Sequence, residues 1–154
     1  MSVTPAIRFL RKSKIPFEVR EYDPKEKGAE FAAKALNWPL ESMVKTLVVA
    51  LSDGSFVLCC LPGDEELSLK SLARAAGVKG ARMTTPKEAE KLTGYFVGGI
   101  SPFGTRKRMA VWMHETILGF DEIGINGGRR GTMLFLDPKL ARDAVNAQVA
   151  NLAA

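Results

Sequence analysis

Two apolar runs constrain this chain most: Lys45-Thr46-Leu47-Val48-Val49-Ala50-Leu51 and Phe56-Val57-Leu58-Cys59-Cys60-Leu61, separated by Ser52-Asp53-Gly54-Ser55. An Asp-Gly pair between two such runs is a hairpin signal, because glycine supplies the positive φ that a tight turn needs. Neither run shows the polar alternation of a half-buried strand. Both are therefore expected in the middle of a sheet, with apolar cover on each face. The cover must come from the rest of the 154 residues, a length of about one domain and enough to bury roughly two-thirds of the surface without a disulfide or metal staple.

The flanking segments supply helices for that cover. Thr4-Pro5 starts a helix, with Thr as N-cap and Pro in the first turn, and Ile15-Pro16 stops it. Phe17-Glu18-Val19-Arg20-Glu21-Tyr22 alternates apolar and charged residues and reads as a half-buried strand. Residues 29–36 are rich in helix formers, and Trp38-Pro39 closes them. Ser68 caps a helix that Gly77 ends, and Thr85-Pro86-Lys87-Glu88 is a capping box ahead of another. Residues 109–113 and 132–136 are strand-like, and Asp137-Pro138 opens a last helix expected to carry Leu140, Ala144, Val145 and Val149. With no repeat or linker, residues 1–154 read as one mixed α/β domain.

Composition excludes several classes. Hydrophobic residues are 46% and charged residues 25%, which argues against disorder. No apolar run approaches the ~20 residues of a membrane span. The opening MSVTPAIRFLRKSK lacks the apolar stretch of a secretory signal, so a cytoplasmic protein without membrane contact is expected. Cys59 and Cys60 are adjacent, a poor arrangement for a disulfide, and are expected to be small strand residues with at least one in the core. A single histidine cannot assemble the usual zinc sites.

Lysine and arginine number 22 against 17 acids, a net charge of +5. The excess is local: Arg8, Arg11, Lys12 and Lys14, then Arg106-Lys107-Arg108, then Arg129-Arg130. Such clusters suit a polyanion, nucleic acid above all, or form a solvated basic surface. Two glycine-rich segments lie beside them. Residues 94–104 hold Gly94, Gly98, Gly99 and Gly104, and residues 123–131 read as a second glycine-rich turn. Backbone N–H groups in such loops can cradle an anion or a developing oxyanion, or the loops can simply be tight turns. Neither fits a phosphate-loop or dinucleotide pattern. Lys45, at the mouth of an apolar strand, is either a solvated strand end or an ammonium aimed into a pocket. A triad of Ser101, His114 and an acid is rejected, because Ser101 precedes Pro102 with no nucleophile elbow. His114 reads instead as an exposed or hydrogen-bonded strand-end residue.

Four segments together resemble one family in order and spacing. They are Thr4-Pro5-Ala6 before a basic helix, Met43-Val44-Lys45-Thr46-Leu47, Thr93-Gly94-Tyr95 through Gly98-Gly99-Ile100-Ser101-Pro102-Phe103-Gly104, and Gly127-Gly128-Arg129-Arg130-Gly131. The chain is similar to the YbaK/EbsC family of aminoacyl-tRNA deacylases, related to the editing domain inserted in bacterial prolyl-tRNA synthetases. The likeness runs from Thr4 to the last helix.

That resemblance implies a curved, barrel-like mixed sheet flanked by helices. It implies hydrolysis of mischarged aminoacyl-tRNA, typically tRNA(Pro) carrying Cys, Ala or another small amino acid, with prolyl-tRNA synthetase as a possible partner. Lys45 matches the lysine that engages the substrate's terminal adenosine and phosphate, and Tyr22 matches a pocket tyrosine. Gly98, Gly99, Ile100 and Ser101 match the loop whose backbone faces the ester. The expected catalytic group is thus Lys45, Gly99 and Ser101. The expected substrate-binding group is Tyr22, Thr46, Gly98, Ile100, Asn126, Gly127, Gly128 and Met133, with Arg106, Lys107, Arg108, Arg129 and Arg130 toward the tRNA backbone. The family works without a metal, cofactor or protein nucleophile, water or a group on the substrate attacking the ester.

This chain departs from the pattern of the Cys-tRNA(Pro) deacylases in three places. The segment between Tyr22 and Lys45 is short and lacks a clear aromatic pocket residue. Asn126 replaces a serine and Met133 an aspartate. An apolar Met133 would favour a small, less polar group such as alanine or serine. A non-catalytic tRNA-binding module and an anion-binding regulator of small nucleotides are the alternatives, and the former would be marked by damage to Lys45 or Gly98-Gly99, which are intact.

Overall fold

The expected hairpin is the centre of the molecule. In the computed structural model, which describes residues 3–154, β2 (Met43–Leu51) and β3 (Phe56–Pro62) pair antiparallel from Val44↔Pro62 to Ala50↔Phe56. The Leu51 N–H donates to the Ser55 carbonyl at 2.8 Å to close the turn. Around the hairpin lie α1 (Pro5–Lys12), β1 (Glu18–Glu21), α2 (Ala29–Ala35), α3 (Leu69–Ala76), β4 (Ala81–Met83), α4 (Pro86–Thr93) and β5 (Ala110–His114). They are followed by β6 (Ile123–Arg129), β7 (Thr132–Leu136), α5 (Pro138–Ala144) and β8 (Gln148–Ala150). Short 3-10 turns occupy Leu40–Ser42 and Glu115–Gly119.

All eight strands form one mixed sheet in the order β1-β7-β6-β2-β3-β5-β8, with β4 added to β2. Period-2 alternation sorts the hairpin onto two cores. Val44, Val48, Leu58 and Cys60 join the larger cluster with Ile7, Leu10, Phe103 and Ile125. Val49, Leu51, Cys59 and Leu61 face the other way, against Leu72, Trp112 and Leu152. Both strands are therefore covered on both faces, and both cysteines are fully buried thiols. Burial pushes the Cys60 thiol up to about 12, and that of Cys59 is raised too.

Local chemistry sets the helix ends as expected. Thr4 accepts from the Ile7 N–H at 3.1 Å, Ser68 from the Ser71 N–H, and Thr85 and Glu88 form the reciprocal capping box of α4. Two expectations are corrected. Residues 123–131 are not a turn: Ile123–Arg129 is a strand paired with β7, and the glycines form a bulge between Asn126 and Arg129. The last helix stops at Ala144, because Asn146 takes a left-handed conformation (φ 52°). Val149 then lies in β8, parallel to β5 opposite Met113. His114 is buried, its Nδ1 accepting from the Leu152 N–H at 3.0 Å, so it ties the C-terminal segment to the sheet. No helix among the described residues is long and apolar enough to cross a membrane.

Candidate active site

The second edge of β2 is shared between two strands. Met43 and Val44 pair parallel with Gly124 and Ile125 of β6, whereas Val49, Ala50 and Leu51 pair antiparallel with Met83, Arg82 and Ala81 of β4. Residues 45–48 between them have no strand on that edge. Among the described residues Thr84 reaches across, its N–H and hydroxyl both donating to the Val48 carbonyl at 3.3 and 2.8 Å. Backbone polar groups need partners, so a break in a sheet leaves a strip of main chain ready for a ligand.

A cavity of about 390 Å³ opens at this break. Its floor is residues 44–48. One wall is Tyr22, Lys27, Gly28 and the α2 residues Ala29 and Ala32, another is residues 83–86 with Ala89, and Val97, Gly98, Ile100, Asn126 and Met133 complete it. The lining is largely apolar, with a few convergent polar groups, the usual character of a small-ligand site. Lys45 is half-buried in the floor. Burial raises the Tyr22 phenol above its ordinary range, against the opposing backbone hydrogen bond at Gly131 and the charge of Arg130, so it stays protonated at neutral pH. Phe31 packs on Tyr22 with ring centroids 6.1 Å apart, while alanines face the cavity from the same helix.

Asn126 joins the two glycine segments. Its Nδ2 donates to the Gly98 carbonyl at 3.1 Å, and its Oδ1 accepts from the N–H groups of Gly128 and Arg129 at 2.7 and 3.1 Å. Gly98 sits in a turn closed by the Gly99 N–H donating to the Phe96 carbonyl at 2.8 Å. Among the described residues, the N–H groups of Gly98 and Ile100, both cavity residues, have no backbone partner.

The remaining expected residues stand behind the cavity. Gly99 is buried with its N–H committed to the turn, and a Cβ there would lie 2.9 Å from Arg129 Cα. Ser101 is fully buried, and its hydroxyl accepts from the Phe103 N–H at 3.2 Å, fixing the turn through Pro102. Gly127 accepts from the Thr4 hydroxyl. Gly128, at φ 97°, leaves room for the Tyr95 ring, which a Cβ would meet at 2.8 Å. Thus Tyr22, Lys45, Thr46, Gly98, Ile100, Asn126 and Met133 line the cavity, while Gly99, Ser101, Gly127 and Gly128 shape its supporting wall.

The basic clusters divide similarly. Arg106, Lys107 and Arg108 are exposed. Arg129 binds Thr132 and lies 3.8 Å from Glu21, and Arg130 donates to the Pro24 carbonyl at 2.8 Å. The cavity wall from β4 and α4, including Met83, Thr84 and Pro86, was not legible from local spacing, since it depends on which strand β4 joins. Among the described residues, no three His, Cys, Asp or Glu side chains come together as a metal site.

The molecule is a mixed α/β domain with a lysine-floored cavity at a break along one edge of a central strand. The family model for the aminoacyl-tRNA editing domain matches residues 23–144. The chain belongs to the aminoacyl-tRNA editing domain family. It is 32% identical over 151 residues to EbsC of Enterococcus faecalis (strain ATCC 700802 / V583), covering 97% of this chain and 92% of that protein, which is named as a candidate Cys-tRNA(Pro)/Cys-tRNA(Cys) deacylase. A proline–tRNA ligase of Sulfurihydrogenibium sp. (strain YO3AOP1) is 39% identical over 83 residues, 54% of this chain and 14% of the ligase. The crystal structure of a protein described as a candidate trans-editing enzyme for prolyl-tRNA synthetase superposes with a TM-score of 0.86 at 28% identity, covering 99% of each chain.

Proposed function

We propose that this protein is a cytoplasmic hydrolase that removes a small amino acid from mischarged tRNA(Pro). The observation that carries this reading is the cavity at the open edge of β2. It combines a cationic Lys45, spare N–H groups at Gly98 and Ile100, and largely apolar walls around a cavity of about 390 Å³.

In this reading Lys45 holds the terminal nucleotide through its phosphate, and the aminoacyl group enters between Tyr22, Ala32 and Met133. Water, with no metal, adds to the ester carbonyl, and the charge developing on that oxygen is met by the loop amides. The bond to the ribose oxygen then breaks and that oxygen takes up a proton, leaving free amino acid and tRNA. Positioning and preorganised donors carry the rate, and an activated ester needs less help than an amide. Ser101, buried behind the loop, contributes by holding the loop's shape.

Met133 is buried on the cavity wall, where a carboxylate would reward a polar side chain. Its thioether favours alanine over more polar groups. Deacylation rates on Ala-, Ser- and Cys-tRNA(Pro) test this: Met133→Asp is expected to change the order of preference. An unchanged order contradicts the role given to Met133.

A further inference from the structure

Phe96 is 79% exposed, the most solvent-exposed of the large apolar side chains among the described residues. Leaving an aromatic ring in water forgoes the stabilisation that burial would bring, and the backbone beneath this one is firmly held. The Phe96 carbonyl accepts from the Gly99 N–H at 2.8 Å. The next residue, Val97, donates its N–H to Glu90 Oε2 at 2.9 Å, and the preceding Tyr95 donates its hydroxyl to the Phe103 carbonyl at 2.6 Å. The ring is thus presented on a fixed turn, and the following residues of that turn, Val97 and Gly98, line the cavity.

Arginines bracket the same turn. A Cβ placed on Gly94 would lie 3.5 Å from the Arg106 side chain, and one on Gly98 would lie 3.0 Å from Arg130 Cδ. An exposed ring at the rim of a pocket, on a turn with an arginine side chain beside Gly94 and another beside Gly98, has the elements used to hold unpaired nucleic acid: a flat face for a base and charges for its phosphates. The geometry of an aminoacyl ester supplies the occupant. The amino acid is attached to the terminal ribose, so with the aminoacyl group in the cavity and the terminal phosphate on Lys45 the base is left to reach the rim.

We infer that Phe96 is a stacking platform for an unpaired nucleobase at the 3′ end of the tRNA, with Arg106 and Arg130 flanking it against the phosphates. The inference rests on the deacylase reading and adds a positioning residue to it. Stacking on an aromatic side chain changes affinity on the order of tenfold or more per base. The effect belongs in substrate binding, because the ring does not line the reacting cavity.

The test is steady-state hydrolysis of charged tRNA(Pro) by wild type, Phe96→Ala and Phe96→Trp, alongside fluorescence binding of an uncharged CCA-ended RNA oligonucleotide and of its variant with an abasic 3′ nucleotide. Phe96→Ala is expected to raise KM about tenfold with kcat within twofold, and Phe96→Trp to restore wild-type KM. The abasic RNA should bind wild type and Phe96→Ala equally. Equal KM for wild type and Phe96→Ala, or a loss confined to kcat, overturns the platform. If no charged tRNA is hydrolysed, the binding arm still decides: weaker binding of the intact RNA by Phe96→Ala upholds the platform while the deacylase reading fails, and equal binding overturns the platform as well.

Discussion

The Asn126 side chain donates to the Gly98 carbonyl at 3.1 Å and so ties the bulge of β6 to the loop that walls the cavity. Its oxygen simultaneously accepts from the N–H groups of Gly128 and Arg129. One amide thereby holds both glycine segments in the register that leaves the Gly98 and Ile100 N–H groups open. An amide suits this pattern, since it offers donors and an acceptor on one planar group.

Replacing Asn126 with Ala removes all these bonds and leaves half-buried backbone groups unpaired. The expected loss is about 1–3 kcal/mol of stability, with a fall in hydrolysis because the loop donors are no longer fixed. Asn126→Asp keeps the acceptor but loses the donor to Gly98, so its stability should lie between the two. Thermal denaturation and deacylation rates on the three proteins check the order.

Gly99 and Gly119 should respond oppositely to alanine. A Cβ at Gly99 would meet backbone atoms of Arg129 and Arg130 at 2.9–3.0 Å, and the end of β6 cannot withdraw without disturbing the bulge. A cost of about 1–3 kcal/mol is expected. At Gly119 nothing lies within 4 Å, so Gly119→Ala should be neutral or slightly stabilising. Urea unfolding of both variants measures the contrast.

Acid sensitivity should be visible at α4. The Arg82 guanidinium, hydrogen-bonded to Glu88 at 3.0 and 3.1 Å, and the Thr85 N–H together hold the Glu88 carboxyl at about 2, below its ordinary 4.5. A depressed carboxylate contributes stability that is complete above pH 4.5 and lost as pH falls toward 2. The pair lies at the surface, so the effect is modest and shrinks with added salt. Melting temperatures from pH 6 to pH 2.5 should fall less steeply for Glu88→Gln than for wild type.

The cysteines should be silent in the native state. Both are buried, and burial pushes the Cys60 thiol up to about 12. A thiol reagent at pH 8 should therefore label neither until denaturant is added. Rapid labelling of the folded protein would contradict the packing described for β3.

Much of the fold was legible because its signals are local. The hairpin at Asp53-Gly54, the Thr4, Ser68 and Thr85 caps and the buried strands follow from neighbouring residues alone. The rest depends on distant pairing. Gly127 and Gly128 look like turn residues, yet they form a bulge because β7 returns alongside β6. Val149 continues a helical spacing from Leu140, yet the left-handed Asn146 redirects it to β8 beside β5. Lys45, Tyr22 and Asn126 could be singled out by resemblance. The cavity itself could not, since it exists only because β6 and β4 share one edge of β2 and leave residues 45–48 between them.

The most direct measurement is release of radiolabelled amino acid from Ala-, Ser- and Cys-charged tRNA(Pro), with Lys45→Ala as the paired variant. The cavity reading predicts rapid release from at least one substrate by wild type. It predicts a loss of roughly a hundredfold or more in the variant, with an unchanged circular dichroism spectrum because Lys45 contributes little packing. Absence of release from every substrate by wild type, or equal release by a folded Lys45→Ala, would contradict it.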